Sequence, residues 1–203
     1  MRAHLVKRQS PQWSAAQEFV KLRYKNAYGA VIAPSPDYFL VVSEDEKSIQ
    51  ACAGIWFAGE GKLFSENYIN ENCEKILSGL ETRRVERSTV AEIGSVASVN
   101  SAAGRCMFKM LSVVSWCLGA RYLLCTSNPR SIQVMMQCKV NFVPICSADM
   151  NRAPRAEGIT WGSYYDDQPI TGYIRLNEME SHYRETMLHT EFHLQPELRS
   201  IAS

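Results

Sequence analysis

An α/β fold with a mixed central sheet flanked by helices is the architecture this sequence predicts. Three observations carry it. The element order reads helix, hairpin strands, central strand, helix, strand, helix, strand. From Val90 to Ile145 short apolar strands alternate with segments of helical period. A chain of 203 residues, 46% of them hydrophobic, can bury one good core. One domain over 1–203 is therefore expected, with 176–203 as a helical C-terminal extension.

Trp13 to Tyr28 reads as an amphipathic helix, with Trp13, Ala16, Phe19, Val20 and Tyr24 on one side and Lys21, Arg23 and Lys25 on a basic face. Pro34 to Pro36 is a turn. Tyr38–Val42 and Ile49–Phe57 are partner strands around a polar tip at Glu44–Lys47. A second turn spans Ala58–Lys62, and the stretch Leu63 to Glu74 follows, beginning with the apolar-acidic segment Leu63–Tyr68. The charge-dense run Glu81–Ser88 is expected to cover the solvent side before the central strand, where Glu92 sits among Val90, Ile93 and Val96.

The central strand passes into a helix through the small-residue segment Asn100-Ser101-Ala102-Ala103-Gly104-Arg105. Small residues let backbone N–H groups approach a ligand, and a helix N-terminus offers unpaired donors and partial positive charge to phosphate. The segment suits the pyrophosphate or phosphopantetheine arm of an acyl donor; small residues also begin many helices that hold no ligand. Met107, Met110, Leu111, Val114 and Leu118 mark the buried face of the helix, and Gly119 its stop. Tyr122–Thr126 is a buried strand. Ser127-Asn128-Pro129 supplies a cap and a first-turn proline for a helix through Ile132, Met135 and Met136. Phe142, Val143 and Ile145 begin another strand, which Pro144 places at an edge or a bend. The methionines read as core.

Composition excludes several classes. A net charge of +1 gives no global field for nucleic acid. The seven cysteines form no CxxC pair, which fits structural thiols in a reducing cytoplasm better than a disulfide framework or a metal site. Met1–Arg8 carries charge without a following apolar run, so no secretory signal is expected, and no stretch reaches the length of a membrane helix. His182, His189 and His193 share a face of the C-terminal segment, where a solvated helix is the expectation over a metal site. With His4 at the other end, histidine-based hydrolase chemistry is disfavoured.

The layout and the turn together resemble the GNAT superfamily of acyltransferases. That superfamily's turn motif, Arg/Gln-x-x-Gly-x-Gly/Ala, is degenerate at Asn100–Arg105. A narrower resemblance covers roughly residues 19 to 175. Arg23-Tyr24-Lys25-Asn26-Ala27-Tyr28-Gly29-Ala30 resembles the opening motif of the thermostable hemolysin family. Leu63-Phe64-Ser65-Glu66-Asn67-Tyr68 is similar to its Leu-Phe-x-Glu-x-Tyr motif. Ala91-Glu92-Ile93-Gly94-Ser95-Val96-Ala97 resembles its Val-Glu-Val-Gly-Asn-Leu-Ala strand, with Ser95 where Asn is usual. Trp161-Gly162-Ser163-Tyr164-Tyr165-Asp166, followed by Pro169, is similar to its Trp-Gly-x-Tyr-Tyr signature. Four motifs in order are far more specific than one. The family resembles in turn the acyl-homoserine-lactone synthases, which share the GNAT core and take acyl chains from acyl carrier protein.

The resemblance implies acyl transfer from acyl carrier protein or coenzyme A, as co-substrate and not as a tightly bound cofactor, to an amine-bearing small molecule. S-adenosylmethionine is one acceptor it admits. Glu92, a carboxylate within an apolar strand, is the candidate general base; an outward-facing or arginine-paired Glu is the plain alternative. Ser95 either bonds a substrate or closes a polar gap. Backbone N–H groups from Val96, Ala97, Ser98 and Val99 are candidates to polarise the thioester carbonyl, with Ala103, Gly104 and Arg105 beside the donor arm. Arg23 and Glu66 are expected to orient a polar substrate or to pair with each other. Tyr28, Trp161, Tyr164 and Tyr165 are candidates to line an acceptor or acyl pocket. Arg83, Arg84, Arg87, Arg105 and Lys109 form either a patch for acyl carrier protein or a solvated face. Two other classes compete: a cytolytic protein, as the family label suggests, and a non-catalytic binding module on the same fold.

Overall fold

The computed structural model describes residues 1–45 and 48–176. Part of the expected hairpin tip and nearly all of the expected C-terminal extension, with its three histidines, lie outside the described residues.

Seven strands form one mixed sheet in the order β1-β2-β3-β4-β5-β7-β6. They are β1 (Arg2–Lys7), β2 (Tyr38–Ser43), β3 (Ile49–Phe57), β4 (Val90–Ser98), β5 (Tyr122–Ser127), β6 (Phe142–Ser147) and β7 (Ile170–Arg175). Helices α1 (Pro11–Tyr28), α2 (Cys73–Glu81), α3 (Ser101–Cys117) and α4 (Pro129–Gln137) cover it. Every neighbouring pair is antiparallel except β4 with β5. This is the GNAT-like sheet that the sequence predicts.

Strand alternation sorts the core into two faces. Leu40, Val42, Ala91, Ile93 and Leu123 pack under Met107 and Leu111 of α3. Phe39, Val41 and Ala97 face the opposite way, towards Ala16, Val20 and Tyr24 of α1. Val90, Tyr122, Leu124 and Tyr173 continue that second face under Cys73 and Leu77 of α2. Along α3 the buried face centres on Ala103, Met107 and Leu111, and Val114 packs only partly against the core.

Local chemistry sets the helix ends. Pro11 opens α1, and Gly29 closes it at φ 65, donating its N–H to the Lys25 carbonyl. The side chains of Asn100 and Asn128 cap α3 and α4, accepting from the N–H groups of Ala103 and Ser131. Ser101 to Arg105, expected as a turn, is already helix; Asn100 alone is the cap.

Three elements lie outside the sequence reading. Strand β1 forms where a charged N-terminus was expected, α2 begins at the end of the stretch Leu63–Glu74, and β7 inserts between β5 and β6. Strand β6 is outermost, as Pro144 predicts, and its register shifts between Pro144 and Cys146. All seven cysteines are free.

Candidate active site

The sheet opens in the middle. Strands β4 and β5 pair only from Val90–Glu92 to Tyr122–Leu124; beyond that, β4 stays with β3 and β5 with β7. A β-bulge helps the parting: four residues of β4, Gly94 to Ala97, lie opposite three of β3, Cys52 to Gly54, and Ser95 takes φ 51. Ser95 therefore serves first as the bulge residue. It is half-buried and does not line the cavity below.

The gap holds a cavity of about 240 Å³. Arg23, Tyr24 and Tyr28 enter it from α1, and Val96, Ala97 and Ser98 from β4. Ser101 and Gly104 of α3 and Asn128 and Arg130 at the start of α4 form the other wall. Two capped helix N-termini thus converge on one space. Arg23 and Arg130 have no hydrogen-bond or ion-pair partner among the described residues. Gly104 lies so close to β4 that a Cβ there would sit 3.2 Å from the Ser98 Oγ.

Of the residues singled out in sequence, Tyr28, Arg23, Val96, Ala97, Ser98 and Gly104 line this space. Three of the candidates for the donor arm lie apart from it. The Val99 N–H is committed to the Gln50 carbonyl, Ala103 is buried beneath α3 where it takes the Asn100 cap, and Arg105 is exposed on α3; none lines the cavity. Sequence reasoning missed Tyr24, Asn128 and Arg130. The readable signal for Asn128 is its capping position, since the amide that opens α4 also donates to the Tyr28 hydroxyl at 2.7 Å. Burial pushes the Tyr28 phenol up, as does the charge of Asp167; Asn128 and Arg130 pull the other way.

An aromatic layer sits beside the cavity on the α1 face. Tyr28 meets Tyr164 edge-on at 5.2 Å, and Trp161 contacts Phe64 at 5.2 Å and Tyr165 at 5.9 Å. The Tyr165 and Tyr68 hydroxyls bond each other. Gly162 explains how this layer docks. At φ 51, its Cβ would lie 1.8 Å from the Tyr28 carbonyl, which accepts the Ser163 N–H at 2.9 Å. Gly162→Val is expected to undock the segment 160–165 and lower stability by about 1–3 kcal/mol, typical of overpacking and backbone strain. A parental thermal midpoint for that variant is the result that contradicts it.

Glu92 lies beneath the aromatic layer, 3% exposed. It is not the partly open base the sequence suggested. The Phe64 N–H donates to Oε2 at 2.6 Å, and the Ser65 N–H to Oε1 at 2.9 Å. The Ser65 hydroxyl also bonds Oε1. Burial pushes the carboxyl up to about 7; those three donors pull it down, and the charge of Glu66 adds to the rise.

Glu66 does not pair with Arg23. Its partner is Arg87, whose Nη1 lies 2.7 Å from Oε1 and whose Nη2 lies 3.0 Å from Oε2. Glu66 also accepts the N–H groups of Leu63 and Cys73, each at 2.8 Å. Burial alone would raise this carboxyl, but Arg87 and the two backbone donors outweigh it and hold it at about 2. The Arg87 guanidinium further reaches Glu74 and the carbonyls of Ala58 and Gly61. Glu66, Cys73 and Glu74 have ligand atoms within 4.8 Å of one another, and Arg87 supplies the positive charge among them. The Leu-Phe-x-Glu-x-Tyr motif is thus a turn that Glu66 ties to Arg87 and whose N–H groups clamp Glu92.

The charge-dense run is also not a simple solvent cover. Besides Arg87, the nearly buried Glu81 carboxylate accepts from the Tyr173 hydroxyl and from Arg175, each at 2.6 Å. Arg83 and Arg84 pair with Glu81 and Glu86. These residues follow α2, whereas Arg105 and Lys109 stand on α3 across the sheet, so the five cations do not make one patch.

Solved structures share this fold at low sequence identity. The N-acyl amino acid synthase FeeM from uncultured soil microbes is 16% identical with a TM-score of 0.57, over 90% of this chain and 99% of that one. The CoA-dependent acyl-homoserine lactone synthase MesI is 15% identical with a TM-score of 0.53, over 94% and 97%. The acyl-homoserine-lactone synthase LasI is 12% identical with a TM-score of 0.57, over 87% and 90%. No curated protein matches by sequence. The thermostable hemolysin family profile matches residues 6–179, a span that takes in all four motifs gathered around the open strand pair. The clamp on Glu92, the Arg87-tied turn and the glycine-docked aromatic segment are therefore the features of a chain that belongs to the thermostable hemolysin family.

Proposed function

We propose that the protein moves an acyl group from a thioester, on coenzyme A or acyl carrier protein, to the amine of a small molecule. The observation that carries this reading is the parting of β4 from β5, which opens a cavity between two capped helix N-termini and the aromatic layer. The thioester arm suits the α3–α4 side, where the helix ends and Arg130 favour anionic groups. Because the Val99 N–H turns to β3, strand alternation turns the Ser98 N–H into the gap, in reach of a thioester carbonyl. The acceptor suits the opposite side, bounded by Arg23, Tyr28 and the aromatic layer. Within that layer the Trp161 indole N–H is buried with no partner among the described residues. The names of the structural neighbours support the same chemistry: FeeM is an N-acyl amino acid synthase, and MesI a CoA-dependent acyl-homoserine lactone synthase. No helix among the described residues is long and apolar enough to cross a membrane.

Mass spectrometry of mixtures of acyl thioesters with a panel of amines tests the reading. An amide product with release of free thiol is expected. Absence of acyl product from every donor–amine pair refutes it. Gly104→Val should press on Ser98 and narrow the donor side. Affinity for a pantetheine-linked donor is expected to fall roughly tenfold or more, equivalent to about 1.4 kcal/mol. Unchanged binding in the folded variant would put the donor elsewhere.

A further inference from the structure

Glu92 cannot touch an amine directly. Both carboxylate oxygens are occupied by donors from Phe64 and Ser65, and the side chain is buried, whereas Thr126 is not. A path leads out. The Ser65 hydroxyl bonds Glu92 on one side and lies 2.9 Å from the Thr126 Oγ1 on the other. Ser65 is 0% exposed, as is Thr171, whose hydroxyl lies 2.7 Å from the same Thr126 oxygen. Thr126 alone among these four residues is half-buried, with access to solvent. It stands two residues past Leu124, the last residue of β5 that pairs with β4. It precedes Asn128, which opens α4 and lines the cavity, by two residues, and does not itself line it. The Tyr164 hydroxyl donates to its backbone carbonyl at 3.1 Å, fixing the strand at that point.

We propose that Thr126 is the group that meets the acceptor amine, and that Ser65 relays the proton between Thr126 and Glu92. This rests on the acyl-transfer reading. The acceptor arrives as an ammonium ion. Its proton passes to the Thr126 Oγ1 while the Thr126 proton passes to Ser65 and the Ser65 proton to Glu92, leaving a neutral amine and a protonated carboxyl. The amine nitrogen forms its bond to the thioester carbon. On collapse the C–S bond breaks and the nitrogen's remaining surplus proton goes to the leaving thiolate, giving amide and thiol. Glu92 then returns its proton to solvent along the same hydroxyls. Hydroxyls suit the task because each both donates and accepts. Glu66, Tyr68 and Cys125 are the titratable neighbours coupled to Glu92; Arg87 bonds Glu66 and not Glu92.

The test uses kinetics with a donor–amine pair that the parent turns over. Thr126→Val keeps the shape and removes the hydroxyl; Thr126→Ser keeps the hydroxyl. At neutral pH the Val variant should lose roughly 10²-fold in kcat, the lower range for a lost proton-transfer group. The Ser variant should stay near the parent, and donor affinity should be unchanged in both. Ser65→Ala, which keeps the backbone N–H to Glu92, should fall with the Val variant. Both deficits should shrink once the pH exceeds the amine's own pKa, because a free amine needs no base. Parental kcat in Thr126→Val, or a deficit equal at every pH and shared by Thr126→Ser, overturns the relay while leaving acyl transfer intact. A parent inert with every pair overturns the acyl-transfer reading itself.

Discussion

Glu92→Gln is expected to cut turnover by ~10²–10⁴-fold, the usual cost of losing a general base. The structure adds a second expectation. Oε2 takes the Phe64 N–H, and Oε1 takes both the N–H and the hydroxyl of Ser65. A glutamine must turn its NH₂ towards one of these donors, so a buried N–H loses its acceptor at a cost of about 1–3 kcal/mol. The variant should therefore melt earlier as well as react slowly. The two effects separate if turnover is measured well below the midpoint, with circular dichroism confirming the fold. A folded Gln variant with near-parental turnover removes Glu92 from the chemistry.

The same carboxyl has a signature in stability. Burial lifts it to about 7, above its ordinary value in the unfolded chain. Between about pH 4.5 and pH 7 the folded protein holds this proton and the unfolded chain does not. Stability from this group is thus full below the unfolded value and is lost as pH rises through 7. Glu66 behaves the opposite way. Held at about 2, it contributes above the unfolded value, and that contribution is lost as pH falls towards 2. The two windows do not overlap, so Glu92→Gln should flatten only the upper one.

Local signals made most of the fold legible. Asn128, in the segment expected to supply a cap, caps α4, and Pro144 sits on an edge strand. What stayed hidden had weak or misread local signals. Strand β1 has one buried residue, Val6, and its ladder with β2 carries it. The pattern Cys73, Ile76, Leu77 and Leu80 in α2 is helical, but nine residues are easily absorbed into neighbouring loops. The place of β7 between β5 and β6 is a non-local fact. The site shows the same division. A carboxylate in an apolar strand stands out in sequence, but its partners Phe64 and Ser65 lie 28 and 27 residues away. Arg87 was hidden among like charges that looked like a solvated run, so Arg23 was expected in its place as a partner for Glu66.

Arg87→Met is expected to be the most destabilising single change away from the core. It removes the guanidinium that holds Glu66, Glu74, the Ala58 carbonyl and the Gly61 carbonyl. The Glu66 side chain, 4% exposed, is then a buried charge without its counterion. Breaking such a pair costs about 3–5 kcal/mol. The lower end is expected, because Arg87 keeps 29% side-chain exposure and water can reach the gap. For a chain of this size that lowers the thermal midpoint by roughly 6–12 °C. Adding Glu66→Gln should recover part of the loss, since the buried charge goes with its partner, and a double-mutant cycle measures the coupling. Additive losses would mean that the pair is not the tie. Turnover is the sharper readout. The turn that Arg87 fixes presents the Phe64 and Ser65 N–H groups to Glu92, so a loosened turn should slow the reaction even in molecules that remain folded. A variant that is less stable but fully active would show that the clamp on Glu92 holds without its anchor.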